Sequence, residues 1–166
     1  MNINEHKAKT NIKQLISKPL VKWTAVALFG CVLYLGNTYV QSQLGRQTLA
    51  DTGLTISTLD EALVKAKKGD KLVLANMTAI WCPSCRKLDR EVFSNEQVKA
   101  AMAKDFVFAR IEYDAKEGED FMAKYQVYGF PTLVILNSEG DKLHHLPLTF
   151  DPETFASLLS KAIALQ

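Results

Sequence analysis

Lys71-Leu72-Val73-Leu74-Ala75-Asn76-Met77 is followed, after Thr78-Ala79-Ile80, by Trp81-Cys82-Pro83-Ser84-Cys85. The first run is short and apolar, which suits a buried strand. The residues after the second cysteine read as a helix to about Val92. Two cysteines three positions apart therefore stand where a strand hands over to a helix. The first turn of a helix leaves backbone N–H groups free and carries the positive end of the helix dipole. A thiolate at Cys82 is stabilised there. Cys85, one turn later, can reach Cys82 and close a disulfide. Pro83 suits the first turn because its missing N–H has no helical partner. Cys82 is the expected nucleophile and Cys85 the resolving thiol.

Other uses of two cysteines stay open at this point. A zinc site needs a second half, but no other cysteine lies after residue 40, and His144-His145 is one short cluster. Cu(I) suits soft thiolates, with Cys82, Cys85 and a histidine as its ligands. A structural disulfide would close a very small loop, with little gain in chain entropy. The simplest reading of His144-His145 is a strand pair, one ring in and one out.

Working outward, Thr58 caps a helix from Leu59 to Lys68 with Gly69 as its stop. Ser94 or Asn95 starts another helix through Lys104. Phe106 to Ile111 is a second strand and Glu119 to Tyr125 a short helix. Thr132 to Leu136 is a third strand, and a turn at 137–140 leads into a fourth, Lys142 to Leu148. Asp151-Pro152 opens the last helix with an N-cap and a proline at its first position. Strands joined by helices imply parallel pairs, and the last two strands are close enough for a hairpin. Pro131 at the entrance of the third strand reads, by itself, as an ordinary trans proline.

The first forty residues are of another kind. Trp23 to Val40 carries no charge. Eighteen helical residues span about 27 Å, against a bilayer core of about 30 Å. Five lysines and one glutamate precede it, so the positive-inside rule keeps the N-terminus in the cytoplasm and exports the rest. A cleaved signal peptide lacks a clear small-x-small site after Tyr39. A lipoprotein signal ending at Cys31 suffers from the bulky Phe29, and a buried core helix would be striped rather than apolar all round. The expected layout is a basic leader at 1–22, a transmembrane anchor at 23–40, a tether at 41–57 and one domain at 58–166.

Composition sets the remaining limits. The chain has 166 residues, 48% of them hydrophobic and 23% charged, an ordinary globular mixture that excludes a disordered or collagenous chain. From Gln41 onward fifteen basic residues face seventeen acidic ones. A mildly acidic domain is a poor nucleic-acid binder. Nothing in the sequence adds a dimerisation domain, which favours a monomer.

Trp-Cys-x-x-Cys after a buried strand, followed by Gly129-Phe130-Pro131-Thr132, resembles the thioredoxin fold over residues 55–166. The fold class is then α/β: a central mixed sheet flanked by helices, preceded by one transmembrane helix. Within that superfamily, WCPSCRKLDREVFSNEQV resembles exported thioredoxin-like domains related to the C-terminal domain of DsbD-type transmembrane thiol-disulfide interchange proteins.

The resemblance implies that Cys82 attacks and Cys85 resolves, that Pro131 is a cis-proline facing the pair, and that Phe130 and Trp81 meet the substrate. It also implies tuning by Pro83 and Ser84, and by Asn76, which stands where thioredoxin has a buried aspartate. Arg110 takes the place of a buried lysine, either pairing with Asn76 or reaching the surface. The implied function is a membrane-tethered periplasmic thiol-disulfide oxidoreductase in the inner membrane that reduces exported proteins. It needs no cofactor beyond the Cys82–Cys85 disulfide, and a membrane thiol protein would donate its electrons. A disulfide-donating oxidase and a copper-binding module are the alternatives.

Overall fold

A computed structural model of the chain describes residues 18–164. The basic leader expected at 1–22 lies outside the described residues as far as residue 17. The chain divides into two units, Met1–Val40 and Gln41–Gln166, and each is taken by itself.

Helix α1 spans Lys18–Thr52. In the first unit its large apolar side chains, among them Trp23, Leu28, Phe29, Val32, Leu35 and Tyr39, are exposed. The helix is long and apolar enough to cross a membrane.

In the second unit α1 continues from Gln41 to Thr52, so the expected tether at 41–57 is helical over most of its length. Packing explains the difference. Gly45 is buried, and a Cβ there would lie 1.9 Å from the carbonyl oxygen of Ile80. The end of the helix is held as well, because Lys99 Nζ donates to the carbonyl of Thr52 at 3.2 Å. Between these anchors Arg46, Gln47 and Asp51 are exposed.

Helix α2 (Leu59–Gly69) starts in a reciprocal capping box. Thr58 Oγ1 accepts from the Glu61 N–H, and the Glu61 carboxylate accepts from the Thr58 N–H. The left-handed residue at its far end is Asp70, at φ 51°, and the expected stop, Gly69, is the last helical residue. Strand β1 (Leu72–Thr78) is buried throughout. Helix α3 (Pro83–Leu88) runs into a π-helical turn, Asp89–Phe93. That wider turn brings Leu88, Asp89, Val92 and Phe93 all inside. Then follow α4 (Glu96–Asp105), β2 (Phe106–Glu112), α5 (Lys116–Tyr125), β3 (Thr132–Leu136), β4 (Lys142–Leu146) and α6 (Pro152–Ala164). β4 stops short of the expected Leu148 just before Pro147, which has no N–H to give to a ladder. At the start of α6 the Asp151 carboxylate accepts from the Thr154 N–H at 2.7 Å.

The sheet order is β2-β1-β3-β4. β1 and β2 are parallel, while β1–β3 and β3–β4 are antiparallel. The expectation of parallel pairs therefore holds for β1–β2 alone. β2 and β3 are joined by α5 but flank β1 on opposite sides, and the parallel rule binds only sheet neighbours.

Alternation along the strands sorts side chains onto two faces. Leu72, Leu74, Phe106, Phe108, Leu133 and Ile135 meet Leu88, Val92 and Phe93 of the cysteine-bearing helix. Phe93 is the hub, with Phe108 and Phe155 stacked edge-on at 5.1 and 5.7 Å. A fully buried phenylalanine contributes about 2–3 kcal/mol. Val73, Ala75, Met77, Ala109, Ile111, Val134 and Leu136 pack on the other face with residues of α2 and α5. The same alternation puts Asn76, Thr78, Arg110 and Glu112 on the face that carries the cysteines.

Candidate functional site

The Cys82 N–H closes a tight turn onto the Ala79 carbonyl at 3.0 Å. Cys82 is the N-cap of α3, and its sulfur accepts from the Cys85 backbone N–H at 3.1 Å. Ser84 Oγ lies 3.2 Å from the same sulfur. Pro83 occupies the first helical position, as its missing N–H allows. Pro83 and Ser84 are exposed, whereas both cysteines are buried thiols. Burial pushes the Cys85 thiol up to about 12, and its hydrogen bond with Cys82 adds to the effect. The Thr78 hydroxyl beside it acts the other way. It does so as a loose contact, since Thr78 Oγ1 makes no full hydrogen bond.

The β1–β3 register pairs Met77 with Thr132. Pro131 therefore arrives beside the end of β1, where the cysteine turn begins. The Phe130–Pro131 bond is cis. Phe130 and Trp81 pack on the small cluster of Ala79, Cys82 and Cys85. Their rings meet edge-to-face at 5.4 Å. Trp81 is fixed from outside by its Nε1–H, which donates to Asp114 Oδ2 at 2.7 Å. The Tyr113 ring also packs against Phe130, tilted by 51° at 5.0 Å.

Arg110 does neither of the two things its position suggested. It is buried, and its Nη1 donates to both carboxylate oxygens of Asp89 at 3.1 Å. Its Nε donates to Glu112 Oε1 at 2.8 Å. Burial raises the Asp89 carboxyl above the usual carboxylate range, and Arg110 opposes the rise. Asn76 sits beside Arg110 in the sheet register, yet its Oδ1 is buried without a partner.

Several residues of the site were not singled out in the sequence. Asp89 had a signal: it lies four residues after Cys85, next to the apolar stripe of Leu88 and Val92. Gln41, Gly45 and Arg86 had none. Arg86 Nη1 donates to Gln41 Oε1 at 2.7 Å, so residues 41–45 of α1 touch the cysteine segment at Ile80 and at Arg86.

His144 and His145 lie on the edge strand β4, opposite Ile135 and Val134. His144 is half-buried and His145 exposed. Among the described residues no three His, Cys, Asp or Glu side chains gather as a metal site would need.

The model of the thioredoxin-like domain family matches residues 59–163. Among characterised proteins, the UBX domain-containing protein 7 homolog of Dictyostelium discoideum is 32% identical over 107 residues, 64% of this chain and 21% of that protein. The thiol:disulfide interchange protein DsbD of Escherichia coli K12 is 31% identical over 109 residues, 63% of this chain and 19% of that protein. The match thus covers about a fifth of each relative. One is named for a UBX domain and the other for thiol chemistry, so the chemistry has to be argued from the site. Among solved structures, a DsbH oxidoreductase superposes with a TM-score of 0.59 at 23% identity, covering 68% of this chain and 86% of that one. Order of elements, sheet topology and the matched family model agree: this chain belongs to the thioredoxin-like domain family.

Proposed function

We propose that the chain is a membrane-anchored thiol-disulfide oxidoreductase that uses Cys82 and Cys85 to reduce disulfides of exported proteins. One observation carries the reading: the Cys82 sulfur is the N-cap of α3, 3.1 Å from a backbone N–H, with the Cys85 thiol buried beside it. The backbone N–H holds the Cys82 sulfur in place, while burial keeps the Cys85 thiol protonated beside it.

In the reaction, the Cys82 thiolate attacks one sulfur of a partner disulfide. That S–S bond breaks, a bond between Cys82 and the partner forms, and the other partner sulfur leaves as a thiolate and takes up a proton. Cys85 then gives up its proton and attacks the Cys82 sulfur. The second partner sulfur leaves and is protonated in turn. Two electrons pass to the partner, with one proton from Cys85 and one from solvent, and the Cys82–Cys85 disulfide remains. No metal or organic cofactor enters. Asn76 cannot take a proton, so the Cys85 proton leaves to water or to another group. Trp81, Phe130 and Pro131 form the wall that meets the substrate, and Pro83 and Ser84 tune the pair.

Five lysines ahead of the uncharged stretch 23–40, in a helix long and apolar enough to cross a membrane, support a single-pass anchor in the inner membrane with the domain in the periplasm. The likeness to a thiol:disulfide interchange protein supports exchange with protein disulfides; the reducing direction, a membrane thiol protein as electron donor and a monomeric chain complete the proposal. The test is the reduction potential of the full chain in detergent micelles. A value near that of thioredoxin, about −270 mV, fits a reductase. A value near about −120 mV makes the protein a disulfide donor. An unreactive Cys82→Ser variant is expected in either case; full activity without Cys82 removes the reading.

A further inference from the structure

An open groove of about 610 Å³ runs beside the aromatic wall of the cysteine pair. Its lining includes Tyr113 and Asp114 at the end of β2, Glu119 and Met122 on α5, and Val127 and Tyr128 before the cis bond. It is continuous with the site, because Tyr113 packs against Phe130 and Asp114 holds the Trp81 indole. Tyr128 is 88% exposed. An aromatic ring left in water two residues from Phe130, at the mouth of a reactive pair, is placed to meet a partner rather than to stabilise the core.

The charge of the groove has one sign. Its lining includes two carboxylates, Asp114 and Glu119, and no Lys, Arg or His. The other acids of α5 are engaged elsewhere. Glu117 accepts from the Leu59 N–H at 2.7 Å, and Asp120 pairs with Lys116 at 3.6 Å. The other flank of the motif is differently furnished, since Ile80 and Arg86 are in contact with residues 41–45 of α1.

We infer that, among partner segments reaching the Trp81–Phe130 wall, this groove selects one with a basic residue beside a large apolar one. The apolar side chain stacks on Tyr113 and Tyr128, and the cation faces Asp114 and Glu119. Such a groove sets which disulfides are met quickly and leaves the sulfur chemistry unchanged. The inference rests on the thiol-disulfide reading above and adds the class of substrate to it.

The test uses the full chain, reduced, in detergent micelles. The probes are two synthetic peptide disulfides that differ only in Lys-Leu or Glu-Leu next to the cysteine. Bis(2-hydroxyethyl) disulfide serves as a small neutral probe without flanks. Each peptide rate is divided by its rate with free dithiothreitol, which removes the peptide's intrinsic reactivity. The Lys-Leu peptide is expected to react about fivefold faster than the Glu-Leu peptide at low salt, the preference two partly exposed carboxylates can supply. The preference is expected to fall toward unity in high salt and in Glu119→Gln. Replacing the peptide leucine by serine is expected to slow the wild type and not Tyr128→Ser. The small disulfide is expected to react equally with all three proteins. Equal peptide rates in the wild type, with the small disulfide consumed normally, overturn the groove and leave the thiol-disulfide reading intact. Failure to consume even the small disulfide overturns that reading, and the groove with it.

Discussion

One guanidinium nitrogen of Arg110 donates to both carboxylate oxygens of Asp89, at 3.1 Å each, and both side chains are almost wholly withdrawn from water. A second contact, to Glu112, lies nearer the surface. The pair ties the middle of β2 to the π-helical turn that follows the cysteine helix. A pair this dry is worth little more than apolar residues of equal size, but either partner left alone is expensive. Arg110→Met is expected to lower stability by about 3–5 kcal/mol. The double change Asp89→Leu with Arg110→Met is expected to recover most of that loss. Urea unfolding followed by circular dichroism measures both, and a double variant no better than the single one counts against the account.

Gly45 is the point where α1 lies on the cysteine turn. A side chain there meets the Ile80 backbone, which cannot swing aside as a flexible side chain can. Gly45→Leu is expected to cost about 1–3 kcal/mol. It is also expected to speed proteolytic cleavage between Leu49 and Ile56. Gly36→Leu, at a position with nothing within 4 Å, is the control and is expected to change neither.

The buried Cys85 thiol makes stability fall at alkaline pH. Its pKa is raised from 9.0 to about 12 by burial and by its bond with Cys82. The native state therefore keeps a proton that the unfolded chain releases earlier. Stability is fully present below about pH 9 and is lost as the pH rises toward 12. Urea midpoints of the reduced protein across pH 7.5 to 10.5 are expected to fall more steeply in the wild type than in Cys85→Ala. Parallel curves would contradict the assignment.

Tyr125 closes the far end of the domain. Its buried hydroxyl donates to the carbonyl of Gly140 at 2.9 Å, tying α5 to the β3–β4 turn. Tyr125→Phe keeps the ring against Phe121, 4.6 Å away, and strands that carbonyl. A loss of about 1–2 kcal/mol is expected in thermal unfolding. The thiol reactivity of Cys82 is expected to be unchanged, since only the distant turn loses a bond.

Much of the fold was legible because it is written in local chemistry. Thr58, Asn95 and Asp151 announce helix starts through side-chain oxygens that accept first-turn N–H groups, and all three do so. β3 and the first halves of β1 and β2 are apolar runs because the sheet is covered on both faces there. The cysteines mark the junction of strand and helix, since a sulfur at an N-cap and a proline after it both answer to unpaired backbone groups. For each of these, the physical cause lies within a few residues of its effect.

The rest depended on pairs far apart in the chain. The antiparallel placing of β3 beside β1 is a matter of which edge a crossing strand takes. The partner of Arg110 lies twenty-one positions back, on a different element. Gln41 to Thr52 is polar enough to read as a tether, and became helix because Gly45 meets a carbonyl thirty-five residues away. The sequence by itself determined the elements, their faces and the reactive pair. Only the tertiary structure decided what stands around that pair: the helix at Ile80 and Arg86, the ion pair behind Asp89, and the acidic aromatic groove beside Phe130. Such neighbours are chosen by packing and by the shedding of water, which no local pattern records.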